Sequence, residues 1–192
     1  MTYPTLTSRI TPHADYSEDR VEIVDADPSW SSQFEMEALL LRESLPKSSA
    51  LRIVHFGSTA VPNLSAKPII DIFVIYPDQT LWPGLIDVLA PLGYVYWAEN
   101  PRKDRMFFVK GLPPFGLRRT HHVHVRVPAD AISELRFRNA LRSDKALADR
   151  YAEYKRTLAL RHPTDREAYT EGKSEFVAGV LGGIGEAHEN AP

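Results

Sequence analysis

Three groups of residues in this chain carry side chains that chemistry can use. The first is the Gly-Ser turn between two apolar runs, in the stretch from Ile53 to Ile75 that reads IVHFGSTAVPNLSAKPIIDIFVI. Gly57, Ser58 and Thr59 close the first run, and small residues there leave backbone N–H groups open to an anion. The second is Asp71, alone among Ile69, Ile70, Ile72, Phe73 and Val74. A carboxylate in that company is costly to bury unless it is paired, hydrogen-bonded or bound to a cation. An anion cradle followed by a cation-binding acid is the order that a nucleotide with Mg²⁺ requires. The third is HHVHV, where strand alternation puts His122 and His124 on one face and His121 and Val123 on the other. Two imidazoles on one face can bind a cation or position a phosphate, and protonation near the ordinary pKa of ~6.5 would switch either kind of binding. Taken singly, each feature has a plainer reading. The turn can be only a turn, the Asp can be satisfied locally, and the histidines can be half-buried and hydrogen-bonded.

Basic residues supply further recognition chemistry. Lys67, just before Pro68, is within reach of an anion at Gly57-Ser58. Arg105 falls on a strand expected to line the same cleft, with Arg102, Lys103, Arg118 and Arg119 on flanking loops. Most Lys and Arg are solvated surface charges, and that is the default for these. His55, three residues before Ser58, is a weaker candidate with a core role as its alternative. Phe107, Phe108 and Phe115 read as core and loop anchors. No basic stripe interleaved with aromatics occurs, which argues against a nucleic-acid partner. Ser58 with His122 or His124 has the makings of a nucleophile–base pair, although spacing alone fixes no distance. A Gly-x-Ser-x-Gly elbow, a P-loop, a Rossmann glycine pattern and His-Glu-x-x-His are all absent.

The elements that must hold these residues follow from length and pattern. A chain of 192 residues with 43% apolar and 25% charged content is long enough for one domain with a real core. The net charge of −2 draws it to neither nucleic acid nor anionic lipid. No apolar run approaches the ~20 residues of a membrane span. With no secretory signal pattern and no cysteine, the expected location is the cytoplasm. Residues 1–19 read as a loose arm, 20–185 as a single domain and 186–192 as a tail. Arg20–Val24 reads as a short strand. Asp27-Pro28 opens a helix whose buried face is Trp30, Phe34, Ala38 and Leu41, ending near Leu45-Pro46. Strands are expected at Leu51–Phe56, Pro68–Tyr76, Tyr94–Ala98, Arg105–Lys110 and Thr120–Val127. Trp82–Leu92 reads as a helix ended by Gly93, and GLPPFGL as a hairpin loop. Three helices follow, Ala131–Leu141, Lys145–Leu160 and Thr164–Leu181, the last opened by a Thr164/Glu167 capping box. GVLGGIGEAHENAP frays out.

The combination of HFGSTAVPNLSAKPIIDIFV, VEIVDADPSWSSQFEMEA, LGYVYWAE, RMFF, HHVHV and the helical segment from Phe137 to Phe176 resembles the GrpB family, of the nucleotidyltransferase-fold superfamily. The resemblance runs from about Arg20 to Val180. It implies an α/β (α+β) fold, a nucleotidyltransferase-like mixed sheet flanked by helices with a helical C-terminal part. It further implies a Gly-Ser turn holding nucleotide phosphates, strand carboxylates binding Mg²⁺, and the HHVHV strand in the sheet beside Asp71. Arg138 and Lys173 match positions typical of the family's helical part. Superfamily catalysts carry two acids one residue apart, whereas Asp71-Ile72-Phe73 has only the first, a pattern the GrpB family shares. One carboxylate is a poor home for two metals. Asn139 stands where similar sequences show Asp.

The expected site is therefore Asp71, His122 and His124 as catalytic and metal-binding residues. Gly57, Ser58, Lys67, Arg105, Arg138 and Lys173 are expected to hold substrate or phosphate. The first functional expectation is a small-molecule-modifying enzyme, a divergent nucleotidyltransferase-like one, using a nucleotide or phosphate substrate with a divalent metal. The alternatives are metal- or His-dependent cyclisation, condensation or hydrolysis of a small metabolite without nucleotide transfer, and a non-catalytic binding module.

Overall fold

The computed structural model describes residues 20–49, 51–112 and 116–189, with side chains described as far as residue 183. The arm 1–19, the last three residues of the tail and Phe115 lie outside that description. Five strands form one mixed sheet: β1 Arg52–Phe56, β2 Ile70–Ile75, β3 Tyr94–Tyr96, β4 Met106–Lys110 and β5 His121–Arg126. Their order is β1-β2-β5-β4-β3, with β2 and β5 parallel and every other pair antiparallel. The apolar runs around Asp71 and the HHVHV motif thus become the adjacent central strands. Central parallel strands are buried on both faces and so read as near-continuous apolar runs.

One face of the sheet is covered by α1 (Ser29–Ser44) and α2 (Leu85–Leu89). Asp27 opens α1 by accepting a hydrogen bond from the Ser29 amide at 2.8 Å. Trp30, Phe34, Ala38 and Leu41 then pack on Ile70, Ile72, Val74, Val123 and Val125. A buried polar knot fastens α1 to the far sheet edge: Glu37 accepts from Lys110 Nζ at 2.8 Å and from the Tyr94 hydroxyl at 2.9 Å. On the other side α3 (Ile132–Ser143) packs on β1, α4 (Lys145–Arg161) and α6 (Ser174–Glu189) pack on α3, and α5 (Arg166–Glu171) packs on α4. Phe137, Leu141, Tyr151 and Ala152 form a second core there with Val61 and Leu64. The helical C-terminal part leaves a gap over the middle of the sheet, and the candidate site occupies that gap.

Several local expectations are corrected. Arg20–Val24 contributes only a bridge between Val24 and Ala66, because the rest of the segment pairs with no strand among the described residues. Trp82–Leu92 is a 3-10 turn, a short α2 and another 3-10 turn, with Pro83 inside the first turn. The expected helix Thr164–Leu181 is two helices broken at Gly172 and Lys173. Asp165, not Thr164, caps the first, accepting from the Ala168 amide at 2.9 Å. Helix α6 runs on to Glu189, through residues expected to fray. No helix among the described residues is long and apolar enough to cross a membrane.

Candidate functional site

The site begins with strand register. Asp71 on β2 pairs with His122 on β5, and Phe73 pairs with His124, so the carboxylate and both imidazoles emerge on the same sheet face. His121 turns the other way, toward Glu37. The His122 Nδ1 lies 3.0 Å from Asp71 Oδ1, while His122 Nε2 is buried with no protein partner among the described residues. One donor atom from each of Asp71, His122 and His124 falls within 4.8 Å of the others. The Asp71 side chain keeps 29% of its surface exposed, so it lines an opening and is not enclosed. Aromatic rings fix the imidazoles in place: Phe107 is 5.0 Å from His122 and 4.6 Å from His124, with Phe56 5.0 Å from His124.

Electrostatics set the protonation states. Burial pushes His122 down to about 4 against the raising pull of Asp71, and pushes His124 well below the ordinary imidazole range. Both rings are therefore neutral at neutral pH. This corrects the expected switch near the ordinary imidazole pKa and removes the imidazolium as a phosphate holder there. Burial works to raise the Asp71 carboxyl, but the His122 hydrogen bond and nearby positive charge hold it below the carboxylate range. Arg105 donates twice to Asp104 at 2.9 Å and approaches His124 Nδ1 at 3.4 Å.

The Gly-Ser turn sits directly beside the acid. After β1 the chain passes through Gly57 at φ +71° into a 3-10 turn over Ser58–Ala60. A Cβ on Gly57 would lie 2.5 Å from Asp71 Oδ2, so only glycine allows the approach. Two guanidinium groups from α3 hold the turn. Arg138 donates to the His55 carbonyl at 2.6 Å, and Arg142 donates twice to the Ala60 carbonyl at 2.9 and 2.6 Å. Arg138 also donates to Asn139 Oδ1, so it has anchoring duties besides lining the cleft. His55 lies on the α1 side of the sheet, stacked on Phe34 at 4.6 Å and bonded to Thr59 at 3.0 Å, and serves the core.

Above these residues opens a cleft of about 1640 Å³. Gly57, Ser58, Lys67, Asp71, Arg105, His122, His124, Arg138 and Lys173 all line it, as do Arg102 and Arg119. The ammonium groups of Lys67 and Lys173 lie 4.9 and 4.8 Å from the centre of the Tyr169 ring. A third lysine joins them that motif and spacing did not single out. Lys155 is 1% exposed, sits 4.9 Å from the Tyr151 ring and donates to the Ser65 carbonyl. Its signal lies in the helix pattern: Lys155 is four residues after Tyr151, on the buried stripe of α4. Burial lowers all three lysines, with Lys155 brought down to about 7, and Lys173 lowers both others. Among the described residues none of the three forms an ion pair with a carboxylate, and Asp71 is the anionic group that favours the ammonium form of each from a distance.

This geometry can be set beside known proteins. A model of the family described as GrpB protein matches residues 20–182. The chain belongs to the GrpB family. It is 53% identical to a UPF0157 protein of Pseudomonas aeruginosa over 86% of this chain and 68% of that one. The crystal structure of the conserved protein GrpB from Enterococcus faecalis matches at TM-score 0.75 and 34% identity, covering 88% of this chain and 100% of that one. A much looser likeness, at TM-score 0.45 and 15% identity, extends to the Cid1 poly(U) polymerase bound to MgATP, covering 73% of this chain and 46% of that one.

Proposed function

We propose that this GrpB protein is a small-molecule-modifying enzyme that binds a nucleotide or other phosphate-bearing substrate together with a divalent metal. The observation that carries the reading is a juxtaposition. A cluster of metal-type donors from Asp71, His122 and His124 faces a wall of lysines with no carboxylate partners among the described residues. Asp71 with two neutral imidazoles is a fitting donor set for a dication, and bound metal would supply Lewis-acid polarisation of a phosphoryl or carbonyl oxygen. Gly57 and Ser58 would cradle the phosphate with their backbone amides, while Lys67, Lys155 and Lys173 would neutralise its charge. Arg105 would orient the part of the substrate next to His124.

Isothermal titration of the full chain with pyrophosphate and with ATP, each with and without divalent cation, tests this. Expected is binding that Lys173→Ala weakens in either condition and that Asp71→Ala weakens only in the presence of metal. No binding of either compound under any condition would sink the reading.

One observation favours a second reading. An ionised Asp71 accepts from His122 Nδ1–H, which leaves the lone pair on buried Nε2, as in a carboxylate-oriented general base. On that reading His122 takes a proton from a small metabolite and no nucleotide is transferred. Turnover that tolerates metal removal but fails in His122→Gln would support this reading over the first.

A further inference from the structure

The metal-type cluster is unusual in its chemistry for a site paired with phosphate. Of the three donors only Asp71 offers oxygen, while His122 and His124 offer imidazole nitrogen. Magnesium takes oxygen ligands and keeps several of its waters, whereas imidazole suits zinc, iron, nickel and copper. All three donors come from one sheet face and leave the cleft side open, so an ion there would have its protein ligands on one side and free positions on the other. The rings of Phe56, Phe73 and Phe107 pack around the imidazoles and leave little room for a retained hydration shell on the sheet side. With Nδ1 of His122 held on Asp71 Oδ1, its buried Nε2, which no described protein group satisfies, is an independent mark of a missing ligand.

We infer that the dication held by Asp71, His122 and His124 is a first-row transition ion of the zinc or iron class and that the site discriminates against Mg²⁺. The inference rests on the reading that this cleft holds a divalent cation. It deepens that reading by naming the ion's chemical class and the residues that choose it. A two-imidazole, one-carboxylate face also compensates for the missing second acid: a more strongly polarising ion, held by nitrogen, needs fewer carboxylates.

The test uses the full chain freed of metal by chelator and dialysed. Titration calorimetry and elemental analysis after dialysis measure Zn²⁺, Fe²⁺ (under anaerobic conditions) and Mg²⁺. Expected is one Zn²⁺ or Fe²⁺ per chain, bound at least about a hundredfold more tightly than Mg²⁺. His122→Ala and His124→Ala should each cost about tenfold or more in Zn²⁺ affinity. Because either variant can lose structure, the wild-type chain labelled with ¹⁵N supplies a second readout. Zn²⁺ should shift the imidazole nitrogens of both His122 and His124, and Co²⁺ should give a visible ligand-field band. Zn²⁺ binding with unmoved His122 and His124 signals, or Mg²⁺ binding as tight as Zn²⁺, overturns the inference. The two readings fail separately. Zn²⁺ at the histidines with no affinity for pyrophosphate or ATP retains this inference and removes the phosphate substrate. Nucleotide binding with Mg²⁺ and silent histidines does the reverse.

Discussion

Gly57 holds φ +71° and ψ −170°, a region that glycine alone occupies at low cost, and the position of its missing Cβ is filled by the Asp71 carboxylate. The two residues are therefore one structural decision. Gly57→Ala should destabilise the fold by about 1–3 kcal/mol through backbone strain, and it should also push Asp71 away from His122. Urea denaturation reads the first effect, and the His122 imidazole nitrogen signals read the second; an unstrained variant with unchanged signals would contradict the packing described. Asp71 makes a different prediction. An isolated buried carboxylate would make Asp71→Asn stabilising, which is the usual mark of a functional acid. Here the carboxyl pKa is held down to about 2, against 3.8 in the open, so the charged form is favoured by folding. Asp71→Asn should accordingly lower stability at pH 7 by on the order of 1 kcal/mol, because the charge-assisted hydrogen bond from His122 Nδ1 becomes a neutral one. Equal or greater stability in the variant, measured by denaturation at that pH, would show that the histidine and lysine partners do not compensate the acid's burial.

Helix α3 matters to the site through its arginines. Arg142 reaches across to the Ala60 carbonyl and Arg138 to the His55 carbonyl, so the turn that carries Gly57 and Ser58 is hung from a helix about eighty residues later in the chain. Removing the Arg142 side chain should cost about 1.5–3 kcal/mol for charged hydrogen bonds to a half-buried carbonyl and should loosen the turn; faster amide exchange at Ser58 to Val61 would be the sign. That dependence was invisible in the sequence, where Arg142 is one more basic residue on an amphipathic helix. The two central strands were readable because burial on both faces leaves a long apolar signature, and the histidine alternation in β5 follows from the pleat. The division of the last helical segment at Gly172 was not readable, because the apolar positions keep their spacing on both sides of the break. Lys173 lies at the break with its ammonium 4.8 Å from the centre of the Tyr169 ring, on which Lys67 also rests. The gathering of Lys67, Lys155 and Lys173 from three separate segments is likewise a product of tertiary packing, and only the oddity of a lysine on the buried stripe of α4 hints at it.

At the scale of the whole molecule the fold buries titratable groups in their neutral forms on both sides of the sheet, and this sets how it responds to acid. His55, on the α1 side, is 8% exposed and is brought down to about 4, chiefly by burial and secondarily by Arg142 and Arg138 against the pull of Asp71. His122, on the cleft side, is brought to the same value by burial. An unfolded histidine titrates near ~6.5. Between that value and about 4 the unfolded chain binds protons that the folded chain refuses, and stability rises with pH wherever the unfolded state binds more protons. The stabilising difference is thus intact above ~6.5 and is lost as the pH falls toward 4, at about 1.4 kcal/mol per pH unit for each such histidine. Asp71 acts in the same direction but lower, losing its contribution only between its open value of 3.8 and about 2. Denaturation midpoints should therefore decline from pH 8 to about 7, where the folded chain protonates Lys155, and then fall steeply below about 6.5, before any carboxylate is involved. A bound transition ion would displace this curve, because it occupies His122 and His124 in the folded state alone and makes their protonation harder still. His55 is outside the ion's reach, so its share of the loss should survive saturation with Zn²⁺ and vanish in a folded His55→Gln variant. A stability curve that stays level to pH 4 without metal would mean that these histidines reach protons in the native state, and that the sheet does not enclose them as described.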